Sequence, residues 1–213
     1  VISWGENTFI GGSINDINTV DISKLRQPGV ELKDALVGTP AAYFSWQMTD
    51  ALSLETFVLF GYDELKVDPY GGFFGTLDII TDGAGFPNGM AGPFPVCIAP
   101  DGGTCHFVAP GGVAVTRSGD NIPSYGGQYG VALRYYAPNL GNGFDFGLYY
   151  QNLHDHNPQV SAIAGRVAGP GTPPPIPGKF FVDYAKDVER YGFSFNTTLG
   201  PWALGGEYSY RRN

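Results

Sequence analysis

Two histidines flank an aspartate in the run His154-Asp155-His156. At the end of a strand, alternate side chains point the same way, so these two imidazoles have the spacing to share a metal ion. Two nitrogen ligands fall short of the four that close a structural zinc site, and no third ligand stands nearby in the sequence. We therefore expect no metal here and interpret the run as a polar strand end at a water interface.

The local patterns that nucleophilic or phosphate chemistry requires are missing. The three histidines are not near a G-x-S-x-G elbow. The paired glycines at 111–112 and 126–127 lack the lysine and the following helix of a phosphate loop. The carboxylates of Glu55, Asp145 and Glu207 fit pore charges better than a shared acid–base pair. The sequence predicts no catalytic residue and no cofactor, so we do not expect an enzyme.

Charge and composition exclude further classes of protein. With 20 acidic against 12 basic residues and a net charge of −8, the chain lacks the clustered Lys and Arg that a nucleic-acid partner requires. At 43% hydrophobic residues it is too apolar to be a disordered chain. No apolar run approaches the ~18 residues of a membrane-spanning helix. The chain is therefore expected to fold, and to do so without such a helix.

Period-2 alternation is the clearest structural signal, because it sets an apolar face against a small or polar face in six segments. In Ala41 to Thr49, for example, Phe44 and Trp46 alternate with Ser45 and Gln47. The predicted strands are 41–49, 52–62, 127–137, 143–154, 190–199 and 202–211. They form three pairs, each joined by a tight turn.

The connections between the three pairs are long. They cover 63–126 and 155–189, whereas connections in soluble domains are mostly short. None of the 17 prolines falls inside the six strands, while thirteen fall in these two long loops. Proline cannot donate to a sheet ladder, so the prolines mark the strand boundaries independently.

Short turns that alternate with long loops, and strands of ~9–11 residues with one apolar face, are typical of a transmembrane β-barrel. The fold predicted is therefore all-β: an antiparallel transmembrane barrel, of which six to seven strands are present, with long extracellular loops. Aromatic side chains near the strand ends would lie at the lipid headgroups; they are Trp46, Tyr62, Tyr129, Tyr150, Tyr191, Trp202 and Tyr210. The alternative is a soluble β-sandwich, but its outer faces would carry more charge.

In a barrel, the face opposite the apolar one lines a lumen, and its side chains set the width and charge of the pathway. The predicted lumen-facing, solute-binding residues are Tyr43, Gln47, Glu55, Arg134, Asp145, Tyr149, Gln151, Glu207 and Arg211.

Cys97 and Cys105 lie in the longer loop with seven residues between them. An even number of cysteines in an exported chain favours a disulfide, with two free thiols as the alternative. The bond would stiffen a loop tip, and no redox catalysis is implied.

The first forty residues combine a short strand, irregular chain and short helical pieces that would lie in the lumen or at its rim. Asp21 is the expected N-cap of a turn over 22–26, and 29–36 carries a second helical pattern. The runs Ser3-Trp4-Gly5-Glu6-Asn7-Thr8-Phe9-Ile10 and Asn18-Thr19-Val20-Asp21-Ile22-Ser23-Lys24-Leu25-Arg26, then Glu31-Leu32-Lys33-Asp34-Ala35-Leu36, resemble the signature of a Gram-negative outer-membrane protein family catalogued as domain of unknown function 1302.

The resemblance implies a porin-like barrel in the outer membrane of a Gram-negative bacterium. The 213 residues are then a single domain that forms an internal section of a longer barrel. The expected partners are the bilayer with its lipopolysaccharide and a small hydrophobic or aromatic solute that passes without energy input. A homo-oligomer or a larger envelope assembly is compatible with this. The competing function is a structural barrel that anchors exposed loops for assembly or adhesion.

Overall fold

The computed structural model describes residues 2–5, 13–69, 72–75, 80–81, 96–97, 106–109, 113–164 and 178–213. Within them the chain is all-β, with one short α-helix, α1 (Leu32–Ala35), and one 3-10 turn (Lys24–Arg26). The first strands are β1 (Thr19–Val20), β2 (Leu36–Val37), β3 (Ala41–Thr49), β4 (Leu52–Leu59), β5 (Val96–Cys97), β6 (His106–Ala109) and β7 (Val113–Arg117). The remaining strands are β8 (Gln128–Ala137), β9 (Phe144–Leu153), β10 (Gln159–Ile163), β11 (Gly178–Asp183), β12 (Val188–Leu199) and β13 (Trp202–Arg212).

No helix in the described part of the chain is long and apolar enough to cross a membrane.

The chain forms two compact units. One comprises Val1–Lys66, Pro123–Asn157 and Ala185–Asn213, and the other comprises Val67–Ile122 and Pro158–Tyr184. The predicted single domain therefore contains two units.

The first unit is built on a six-stranded antiparallel sheet of order β13-β12-β9-β8-β4-β3. Its strands are the six that alternation predicts, with ends that differ by at most three residues. Each strand pairs with its neighbours in chain order, as in an up-and-down meander, because alternate connections are tight turns. The sheet is open: β3 and β13 are its edges, and no described strand closes it into a barrel.

The second unit holds a five-stranded sheet of order β10-β11-β7-β6-β5. Its strands lie within 63–126 and 155–189, the stretches interpreted from sequence as loops. β7 and β11 pair in parallel, which joins the two stretches directly. Beyond β7, the Asp120 carboxylate accepts the Val182 backbone N–H at 3.1 Å and the Asn121 N–H donates to the Val182 carbonyl at 2.8 Å. These strands are short and the sequence between them is rich in Gly and Pro, so alternation does not reveal them.

One face of the six-stranded sheet, which we call the outward face, is apolar and exposed. Its largest exposed side chains belong to aromatic and branched residues: Phe44, Trp46, Val58, Phe60, Tyr129, Val131, Tyr135, Leu148, Tyr191, Phe193, Leu199, Trp202, Leu204, Tyr208 and Tyr210. Four tyrosines from adjacent strands form a row across this face. The ring centroids are 6.1 Å apart for Tyr129–Tyr150, 5.2 Å for Tyr150–Tyr191 and 6.4 Å for Tyr191–Tyr210.

Tyr62 does not belong to this exposed row, although the sequence interpretation grouped it with the headgroup aromatics. Its side chain is buried and its hydroxyl donates to the Asp155 carbonyl at 2.7 Å. The reason is that β4 ends at Leu59, so the alternation that would turn Tyr62 outward does not continue.

Candidate functional site on the inward face

The strand register places all nine predicted lumen residues on one side of the six-stranded sheet, which we call the inward face. Glu55, for example, lies opposite Ala132, which lies opposite Tyr149 on the next strand. Arg134 and Glu207 belong to a second row that also contains Gly147. The same parity holds for Tyr43, Gln47, Asp145, Gln151 and Arg211.

Much of the inward face is covered by the chain's own N-terminal segment, defined here as the described residues 2–5 and 13–20. The Ile14 N–H donates to a Glu207 carboxylate oxygen at 2.9 Å, and the Gln151 amide donates to the Ile14 carbonyl at 2.9 Å. Ile14 and Ile17 are buried against the sheet. The predicted lumen residues Gln151 and Glu207 therefore bind the segment, as do Glu55 and Tyr149 through Trp4.

Trp4 contacts the sheet through its ring and through its indole N–H. Its ring centroid lies 4.8 Å from that of Phe57 and 5.9 Å from that of Tyr149. Its indole N–H donates to a Glu55 carboxylate oxygen at 2.7 Å. The ring is 1% exposed, so this is the centre of the buried cluster on the inward face.

Glycines on the inward face make room for the segment. A Cβ on Gly130 would lie 2.5 Å from the Phe57 ring and 2.8 Å from the Trp4 ring. A Cβ on Gly192 would lie 2.5 Å from the end of the Ile14 side chain. From the sequence, we interpreted the small residues of this face as the lining of a lumen. In the structure, Gly130 contacts Trp4 and Gly192 contacts Ile14.

Arg190 is a site residue that the sequence interpretation missed. Its guanidinium lies 2.8 Å from a carboxylate oxygen of Asp16 and donates to the Asp16 carbonyl at 3.1 Å. Both side chains are buried. In the alternation of β12, Arg190 falls on the inward face, so a search of the sequence for charged residues on that face would have found it. Its partner, in an irregular segment 174 residues away, carries no such signal.

Arg211 pairs with Asp155 just beyond the end of β9. Burial acts to raise the pKa of Asp155, but the Asn157 backbone N–H and the positive charge of Arg211 outweigh it, so the pKa lies below its usual value. Asp155 is therefore an anion at neutral pH. Arg211 thus neutralises a carboxylate of its own unit.

His154 and His156 bind different backbone groups. The Asp187 N–H donates to Nδ1 of His154 at 3.1 Å, so the opposite ring nitrogen carries the proton toward the Gly126 carbonyl, 3.1 Å away. Nδ1 of His156 lies 2.7 Å from the Asp63 carbonyl, and its ring stacks on Tyr62 at 5.6 Å. Burial lowers the pKa of His156. Both rings serve to fix the chain beyond the end of β9.

A polar pocket of about 260 Å³ remains on the inward face. Its lining includes Arg134, Asp145, Tyr149, Ser194 and Asn196. The Arg134 Nε lies 3.3 Å from Glu55 and its guanidinium lies 5.9 Å from the Tyr149 ring centroid. The Tyr149 hydroxyl is 3.1 Å from the Ser194 hydroxyl. Three predicted residues thus meet at a pocket that presents one positive and one negative side chain.

The remaining predicted residues lie apart from this pocket or outside the described part of the chain. Tyr43 and Gln47 are on the edge strand β3, where the Gln47 amide donates to the Thr49 carbonyl at 2.6 Å. Cys105 lies outside the described residues, and only the backbone of Cys97 is described. The disulfide stays a prediction.

No curated protein and no solved structure matches this chain. A family model described as protein of unknown function (DUF1302) matches residues 1–213. This agrees with the resemblance carried by the runs between residues 3 and 36 and extends it along the chain. The chain belongs to the DUF1302 family.

Proposed function

We propose that the six-stranded sheet is part of a porin-like β-barrel in the outer membrane of a Gram-negative bacterium. Its outward face contacts lipid, and its inward face lines a passage for a small hydrophobic or aromatic solute. Passage is by diffusion, with no cofactor and no energy input.

The distribution of charge carries this proposal. In the six strands, all of which the structure describes, only Glu189 and Arg212 are charged on the outward face, and they pair directly at one end of the sheet. The inward face carries the charges of Glu55, Arg134, Asp145, Arg190, Glu207 and Arg211. A soluble protein seldom exposes so large an apolar surface, whereas lipid requires one.

The height of the apolar band on the outward face supports contact between this face and a membrane. Along β12 the outward side chains are uncharged from Tyr191 to Leu199. Eight residue steps at ~3.3 Å cover about 26 Å along the strand, or about 20 Å normal to a bilayer at a tilt of ~40°. The apolar band of an outer-membrane barrel is ~25 Å tall. The row of tyrosines at the charged end would then lie among the lipid headgroups.

Closure of the sheet is part of the proposal. Backbone N–H and C=O groups on β3 and β13 need partners in lipid, because no water reaches them there. We expect further strands of the same polypeptide to pair with both edges. The long connections then belong to the extracellular side and the tight turns to the periplasmic side.

The competing function is a structural barrel that anchors its loops for assembly or adhesion. Two observations favour it: the N-terminal segment covers much of the inward face, and the long connections carry a five-stranded sheet of their own. In the channel proposal, by contrast, the segment narrows the passage without closing it.

A planar-bilayer recording of the full-length polypeptide, purified in detergent, separates the two functions. The channel proposal predicts discrete conductance steps that an aromatic solute blocks. Arg134→Gln removes a charge from the polar pocket and should change the ion selectivity of the steps, while Arg212→Gln, on the outward face, should not. Stable insertion without conductance would support the structural barrel, and failure to insert would refute both.

A further inference from the structure

Trp4 lies in a slot whose parts are those that recognise a flat ring bearing a hydrogen-bond donor. Phe57 and Tyr149 contact the indole at centroid distances of 4.8 and 5.9 Å. Glu55 accepts its N–H at 2.7 Å. Aromatic neighbours prefer offset or tilted rings, and a carboxylate makes a strong acceptor in a buried site. The slot is therefore specific for both shape and a donor.

The floor of the slot is the backbone of Gly130, because a Cβ there would overlap with the Trp4 and Phe57 rings. Arg134 lies 3.3 Å from the same carboxylate that accepts the indole N–H. This contact positions the Glu55 carboxylate beside the slot. Residues of the sheet thus hold the slot in shape independently of the N-terminal segment.

The backbone beside Trp4 is bound to its own segment. The Trp4 N–H donates to the Asn15 side chain at 3.3 Å, and Asn18 exchanges hydrogen bonds with the backbone of Ile2 at 3.1 and 2.6 Å. None of these three bonds involves the sheet. The indole can therefore leave the slot without breaking a strand pairing.

We propose that this slot binds a planar aromatic molecule that carries an N–H or O–H donor, and that Trp4 is its internal competitor. The inference deepens the proposed function, since the passage would bring the solute to the slot. A ligand that must displace Trp4 has an apparent affinity equal to its intrinsic affinity multiplied by the fraction of molecules in which the slot is empty. Removal of the Trp4 ring should therefore tighten binding.

Isothermal titration of the detergent-solubilised protein with indole tests the competition. We expect Trp4→Ala to bind indole at least about ten-fold more tightly than the wild type. Trp46→Ala, which removes an exposed outward indole, is the matched control and should leave the affinity unchanged. Equal indole affinity in wild type and Trp4→Ala would overturn the proposal.

The donor requirement has its own test with 1-methylindole, which has the same ring but no N–H. In the Trp4→Ala background, Glu55→Gln should weaken indole about ten-fold and leave 1-methylindole within two-fold, since only indole exchanges a hydrogen bond to a charged carboxylate for a weaker one to a neutral amide oxygen. Micelle partitioning acts on both ligands, so it cannot produce the difference. Equal losses for both ligands would remove Glu55 from the site.

A measurement on the wild type covers the case in which Trp4→Ala does not fold. Incorporation of 5-fluorotryptophan places a ¹⁹F label on Trp4, as well as on Trp46 and Trp202. Indole should shift the Trp4 resonance saturably toward the position of an exposed indole. No shift up to the solubility limit would overturn the inference. Neither the titration nor the ¹⁹F measurement needs a conducting channel. Failure of the slot proposal can therefore be distinguished from failure of the channel proposal.

Discussion

Leu148→Arg is the most direct test of whether the outward face contacts lipid. Leu148 lies midway along β9, is 55% exposed and faces outward between Leu133 and Phe193 of the adjacent strands. An arginine near the middle of a bilayer costs a barrel ~2–4 kcal/mol. The same change on a water-exposed sheet surface costs within about 0.5 kcal/mol. The two environments therefore differ by about 1.5–3.5 kcal/mol for one substitution.

Leu199→Arg is the matched control. Leu199 is 48% exposed and faces outward like Leu148, but it is the last residue of β12 and precedes the Gly200-Pro201 turn. Near an interface the cost of arginine falls to about 0–1 kcal/mol. The pair thus differs in depth while the chemistry and the exposure are alike.

The assay is equilibrium folding of the full-length polypeptide from denaturant into lipid vesicles, with the free energy of unfolding measured for the wild type and both variants. A difference of about 2 kcal/mol or more between Leu148→Arg and Leu199→Arg supports a lipid-facing surface. Costs within about 0.5 kcal/mol for both variants would refute the membrane assignment and would favour the soluble β-sandwich instead.

Three further predictions concern the inward face and the chain beyond β9. Gly130→Ala should destabilise the fold by ~1–3 kcal/mol through overlap with the seated rings, whereas Gly205→Ala, whose Cβ would meet only a backbone oxygen at 3.7 Å, should change it little in a denaturant titration. Arg190→Met should cost ~3–5 kcal/mol by stranding the Asp16 carboxylate, and Asp16→Asn added to it should restore much of the loss in the same titration. Burial lowers the pKa of His156 below its ordinary value of 6.5, so the unfolded state binds a proton at a higher pH than the folded state does. The melting temperature should therefore fall as the pH drops below 6.5, and it should fall less steeply in His156→Gln.

Each of these has an outcome that contradicts it. Equal costs for the two glycine variants would mean that the Gly130 site relaxes around an added methyl group. A double variant no more stable than Arg190→Met would show that the buried carboxylate is not the source of the cost. A melting curve with the same pH slope in wild type and His156→Gln would place the titration elsewhere.

The six-stranded sheet could be predicted from sequence because its strands are long and two-faced. Tight turns fix the pairing of β3 with β4, of β8 with β9 and of β12 with β13, and alternation then assigns each side chain to a face. For the same reason, the nine predicted residues share the inward face. Local patterns were sufficient wherever the determining contacts were local.

What covers the inward face could not be predicted, because those contacts join distant positions without a periodic signal. The Asp16–Arg190 pair and the bond from Ile14 to Glu207 depend on the path of an irregular segment. Phe57 was also missed as a core residue. It is an aromatic ring on the polar side of β4, and its burial against Trp4 has no signal in the sequence.

The bond between Ile14 and Glu207 spans 193 residues. Contacts this far apart in sequence form late, since the loop they close must first be organised by nearer pairings. The segment is synthesised before β13, which carries its acceptor Glu207. It therefore lacks this partner until β13 has been made, and its docking reports that β13 is in place.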